Sequence, residues 1–234
     1  MTSAEQLPVR GAVDADWVVR RMRGLGAALP PDDGVAVFNQ VYLDVAEELR
    51  QRLERGHFED RAAAVAGELG VRFAERYLAA VDAAAAGRRA PACWRPLFQL
   101  RHHPAVRPAQ FALAGINAHV GHDLPLALLD VCAERGVEPV LLEGAFEQLG
   151  ELLAELEERI RDELLPEPDV LDVADPLAHL AGAWSLERAR DGAWAAFRAL
   201  WELRGDPELA GELAERLGAG AGLAGRLLLT PLRG

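Results

Sequence analysis

Apolar residues return every three or four positions along almost the whole chain, as in "VFNQVYLDVAEEL" and "RFAERYLAAV", and alternating runs of β-branched residues are missing. That spacing lines one face of a helix, so the pattern predicts an all-α protein without a sheet. A first helix is expected over 14–28. It ends at "LPPDDG", where Pro and the paired Asp32 and Asp33 start a second helix over 33–55. Gly56 stops that helix, a third runs over 60–85 as far as "AAAAGRRAPA", and a short one carries "CWRPLFQLR". Pro104 and Pro108 frame the start of a central helix that runs to 134–136. A long acidic helix follows over 139–165, with "ELEERIRDE" as its solvated face, then a linker over 166–176. The C-terminal helices come after it, the last ending ahead of the Gly-rich "LGAGAGLAG". The expectation is a single helical domain over 1–234, a bundle of about seven to nine helices with a flexible N-terminus over 1–13.

Inside the central helix, "INAHVGHDLPLAL" interrupts an apolar run with four polar groups. His119 and Asp123 are four apart, one above the other on a helix, near enough to share an ion or to pair with each other. An imidazole and a carboxylate so placed suit one divalent zinc, iron or manganese ion, or an Asp-oriented His acting as general base. A structural His–carboxylate pair has the same spacing. His122 lies about 60° from that line and is the third candidate metal ligand. Pro125 cannot donate to the carbonyl of Gly121 and its ring crowds that turn, so a kink is expected beside Asp123.

The two asparagines, Asn39 and Asn117, both fall in apolar helical patterns, where a buried amide needs a partner. Asn117 lies about 200° round the helix from His119 and reads first as a clamp between helices, with substrate binding as the alternative. Tyr42 offers a phenol to a substrate or packs in the core. Trp94 and Arg101 are candidates to line a cleft, while Trp184, Trp194 and Trp201 read as core anchors. His57 with Asp60, and His102 with His103, fall at helix ends where such charges belong. Cys93 and Cys132 are far apart without a CxxC and read as buried small hydrophobes.

Composition removes several kinds of chemistry. The chain has no lysine, which excludes a pyridoxal phosphate Schiff base and a lysine-bearing phosphate loop. Serine occurs only at Ser3 and Ser185 and no GxSxG is present, so a serine-hydrolase triad is not expected. A net charge of −12 argues against a nucleic-acid partner. No run of 18 apolar residues occurs and "MTSAEQLPVRGAVDADW" lacks the layout of a signal peptide, so a soluble, cytoplasmic chain without a membrane span is expected. The partner expected is a small-molecule substrate, with a homo-oligomer open.

"FALAGINAHVGHDLPLAL", with "FNQVYLDV", "RFAERYLAAV", "CWRPLFQLR" and "WSLERARDGAWAAFRALWELR" around it, resembles the bacterial, mainly actinobacterial, domain-of-unknown-function family numbered 5995. The resemblance covers about 35–230, takes in Asn39, Tyr42, Asp60, Tyr77, Trp94, Arg101, Asn117, His119, Asp123 and Pro125, and implies a single helical domain. His119, Asp123 and Pro125 are also similar to the pattern of the helical zinc-dependent phospholipase C and P1 nuclease group. That group's closing His is missing here, with Ala127 and Leu128 in its place. Three functions stay open. The first is a metal-dependent, hydrolase- or lyase-like small-molecule enzyme. The second is a metal-free acid/base cyclase or isomerase of natural-product metabolism, in which Tyr42 or Asn117 meets an oxyanion. The third is a helical binding protein without catalysis.

Overall fold

Helical spacing of the apolar positions is realised throughout the residues that the computed structural model describes, 10–58, 60–164 and 185–231, and no strand occurs among them. The chain forms α1 (Arg10–Ala28), α2 (Gly34–Glu54), α3 (Asp60–Ala85), the short α4 (Arg95–Leu100) and α5 (Pro108–Ala118). A π turn (His119–Asp123) joins α5 to α6 (Leu124–Arg135). A 3₁₀ turn (Pro139–Leu142) leads into α7 (Glu143–Leu164), and α8 (Leu186–Glu202) and α9 (Pro207–Leu228) complete the described chain. The linker expected over 166–176, Trp184, residues 1–9 of the expected flexible N-terminus and the side chains of "ELEERIRDE" lie outside the described residues. α1 begins at Arg10, inside the stretch expected to be flexible.

Local chemistry sets the ends of these helices. Asp33 has extended backbone and its carboxylate accepts the Val35 amide at 2.8 Å, satisfying one of the amides a helix start leaves bare. Ser185 caps α8 and Asp206 caps α9 in the same way. Between the caps, Met22 of α1, Phe38 of α2, Leu69 and Tyr77 of α3, Leu128 of α6 and Phe197 of α8 are fully buried in one apolar core. The π turn packs against α3, α5, α6, α8 and α9, so it lies near the middle of the bundle.

Two expectations about helix continuity change. The break foreseen at Pro125 is a widened turn rather than a simple kink: the Leu124 amide donates to the His119 carbonyl, five residues back. Pro125 has no N–H to give Gly121 and its ring would strike the preceding turn, and one extra residue per turn carries the chain past both problems. The Gly-rich "LGAGAGLAG", expected to follow the last helix, is instead helical as part of α9. A Cβ at Gly222 would stand 2.5 Å from the Ala92 carbonyl oxygen, and one at Gly218 would stand 3.1 Å from the His122 ring. Each glycine costs a helix about 1 kcal/mol. The bare backbone lets α9 press against residues 92–93 and the π turn, and that packing outweighs the propensity.

Candidate functional site

The π turn brings His119, His122 and Asp123 to one place, and the segment ahead of α4 brings Cys93 and Trp94 to meet them. Asp123 is the hub. Its Oδ2 accepts the Trp94 indole N–H at 2.9 Å and faces His119 Nδ1 at 3.0 Å, while Oδ1 faces His122 Nδ1 at 2.8 Å. A carboxylate can only accept, so both imidazoles are assigned an Nδ1–H directed at it. His119 and Asp123 are each 2% exposed, whereas the His122 side chain is 13% exposed.

Burial works against the Asp123 anion, but the N–H groups of His119 and His122 outweigh it and hold the carboxyl below its usual range. For His119 the balance is reversed: burial disfavours the imidazolium more than Asp123 favours it, and its pKa falls. The pair is therefore a carboxylate anion beside a neutral imidazole. Burial, then the Asp123 charge, pushes the Tyr42 phenol well up, so it stays protonated.

His119 is enclosed by rings. Phe73 stacks face to face on it with centroids 3.5 Å apart, Tyr42 meets it edge-on at 4.4 Å, and Trp94, Phe38 and Tyr77 stand at 5.8, 6.0 and 6.2 Å. Its Nε2 is buried and has no hydrogen-bond partner. That is unusual, because a buried acceptor without a donor costs roughly 1–3 kcal/mol.

On the other side of the carboxylate, Cys93, His122 and Asp123 each offer a ligand atom, and these atoms lie within 4.8 Å of one another. This group can hold a metal ion. His119 is not one of the three, so the structure gathers a different set from the His119, His122 and Asp123 expected from spacing. Cys93 was missed because it is distant in sequence and reads alone as a small hydrophobe. Its thiol is pushed up by burial and by the Asp123 charge.

The remaining expected site residues have partners elsewhere. Asn39 donates to the Met22 carbonyl at 3.0 Å and accepts from the Tyr77 hydroxyl at 3.5 Å. Asn117 donates to the Ala221 carbonyl at 2.8 Å, tying α5 to α9. Arg101 grips Asp33 through two nitrogens. Trp94 is the exception, being joined to the hub itself.

Fold and site together define an all-α protein closed around a buried His/Asp centre with a thiol at its edge. The chain belongs to the Family of unknown function (DUF5995), whose family model matches residues 15–231. No curated protein and no solved structure matches it. No described helix is long and apolar enough to cross a membrane.

Proposed function

We propose that the protein is a metal-dependent small-molecule enzyme, hydrolase- or lyase-like, that holds one divalent ion between Cys93, His122 and Asp123. The observation that carries this reading is the convergence of three ligand atoms from two separate segments within 4.8 Å. Around a tetrahedral zinc ion, ligand atoms stand about 3.4–3.7 Å apart, so closing on an ion would ask for no more than about 1 Å of movement. Oδ2 of Asp123 already takes two N–H partners and Oδ1 only one, the His122 Nδ1–H, so Oδ1 is the oxygen that would turn to the ion as that contact opens. The Trp94 and His119 N–H groups then orient the ligand carboxylate, as partners of metal ligands commonly do. A thiolate in the set favours zinc or iron over magnesium or calcium. Three protein ligands leave one position for water or substrate, where a bound ion polarises a carbonyl or activates water. The thiol also distinguishes this set from the histidine-closed pattern of the phospholipase C and P1 nuclease group.

The test is elemental analysis of untagged protein, followed by cobalt(II) loading. About one ion per chain is expected, with a thiolate-to-cobalt absorption band that disappears in Cys93→Ser. Protein that takes up no stoichiometric ion, or shows the same spectrum without Cys93, overturns the reading.

A second reading is supported by the direct His119–Asp123 hydrogen bond together with the free Nε2. Here His119 is a metal-free general base oriented by Asp123, suited to proton transfer in a cyclase or isomerase. Activity that survives exhaustive chelation and is lost in His119→Gln favours it over the first.

A further inference from the structure

The unpartnered Nε2 of His119 has a neighbour that neither reading uses. Between α1, α2, α3 and α7 runs a narrow crevice with about 30 Å³ of free space, lined by Ala15, Val18, Val45, Leu49, Leu153 and other apolar residues. Tyr42 and Phe73 form part of its wall, and the same two rings are the closest aromatic neighbours of His119. One layer of rings thus separates an apolar crevice from a buried acceptor.

The two nitrogens of an imidazole point in nearly opposite directions, so with Nδ1 on Asp123, Nε2 faces away from the carboxylate into the ring box. The Asp123 anion fixes the hydrogen on Nδ1, which makes Nε2 an acceptor only. Its complement must bring a donor. Among the described residues the crevice wall carries no charged side chain, and a charged ligand would lose its hydration against it without compensation. We infer that the crevice and His119 Nε2 form a binding site for a small apolar molecule bearing one hydroxyl, which reaches Nε2 when the Tyr42 ring turns aside. At rest the crevice has space for only about one or two water-sized molecules, so the ring movement is what makes room.

This site shares its histidine with the acid/base reading but requires only binding, and it does not use the ion. The experiment titrates full-length protein with ¹⁵N-labelled histidine, stripped of metal by chelation. Three probes of one shape are compared: 4-ethylphenol with a donor, 4-ethylbenzaldehyde with only an acceptor, and ethylbenzene with neither. The phenol should bind about tenfold tighter than the other two and shift the His119 Nε2 resonance as it accepts a hydrogen bond. Ala46→Phe, which fills the crevice from α2, should abolish binding of all three. If that variant does not fold, the smaller Ala46→Leu should weaken all three. Equal affinity for phenol and ethylbenzene, an unmoved Nε2 resonance at saturation, full phenol affinity in the filled variant, or no binding at all would each overturn the proposal. Because no metal is present, none of these results bears on Cys93, and loss of metal uptake in Cys93→Ser leaves the phenol result standing.

Discussion

Asp33 and Asp123 are both buried carboxylates, at 1% and 2% exposure, and each gathers three partners, yet the two clusters are built differently. Asp33 accepts the Val35 amide and both gripping nitrogens of Arg101, with His102 3.5 Å away, while the Arg101 carbonyl accepts the Gly34 amide at 2.8 Å. Its charge is matched by a guanidinium, and its bonds close on one another to fasten the start of α2 to the end of α4. Asp123 gathers an indole and two imidazoles but no guanidinium. It leaves one imidazole nitrogen unpartnered and a thiol close by. The lesson is that burial and hydrogen-bond number do not separate a structural carboxylate from a candidate site. What a cluster leaves unused does.

The comparison can be broken most forcefully at Asp33. Asp33→Ala removes the cap of α2 and strands a largely buried guanidinium, and about 3 kcal/mol or more of unfolding free energy should be lost in urea denaturation. Metal uptake by the folded fraction should be unchanged. An equal loss of metal would show that the two clusters are one system. Trp94→Phe comes next. It keeps an aromatic ring, though a smaller one, and takes one N–H from the Asp123 anion, and should cost about 2 kcal/mol or more and weaken metal binding roughly tenfold.

Acidification is expected to have a milder effect at the Asp123 cluster. The folded pKa of His119 is lowered, so between that value and the unfolded value of about 6.5 the unfolded chain binds the extra proton. Stability is therefore full above about pH 6.5 and falls as the pH drops below it, with a further loss at lower pH as the depressed Asp123 carboxyl protonates. Chemical denaturation at several pH values should show the first loss in the native chain and not in His119→Phe. The smallest effect is expected at Gly218→Ala. The new methyl crowds the His122 ring while the helix gains up to about 1 kcal/mol in propensity, so stability should barely move. Metal affinity should still change, because His122 must shift. An unaltered affinity would argue that His122 does not hold the ion.

Much of the bundle can be read from the residues alone. The three-and-four spacing predicts α2 and α3 within a residue or two, and Asp33 appears where a helix start needs an acceptor. Pro125 predicts a break at the correct place, but whether a chain answers with a kink or a widened turn depends on what packs around it. Gly218 and Gly222 mislead for a similar reason. Alone they signal the end of a helix, and only the close approach of the His122 ring to Gly218 and of the Ala92 backbone to Gly222 explains why they continue one. Of the site, the His119–Asp123 contact is local and therefore visible in the spacing. The approach of His122 needs the turn's altered geometry, and that of Cys93 and Trp94 needs the tertiary fold. Arg101, expected at a cleft, is paired with Asp33 for the same reason: its partner is 68 positions away.

The wide turn from His119 to Asp123 also makes the centre depend on chain length. Deleting Val120 or Gly121 would remove the extra residue of the π turn, set His119 and Asp123 three positions apart, rotate every side chain of α6 by about 100° relative to α5, and leave Pro125 to kink the joined helix. Such a chain would keep its charge and nearly all of its composition. A single missing codon would thus dismantle the centre more thoroughly than most amino-acid exchanges within it, and the spacing from His119 to Asp123 is a stricter criterion for recognising the site than the presence of either residue.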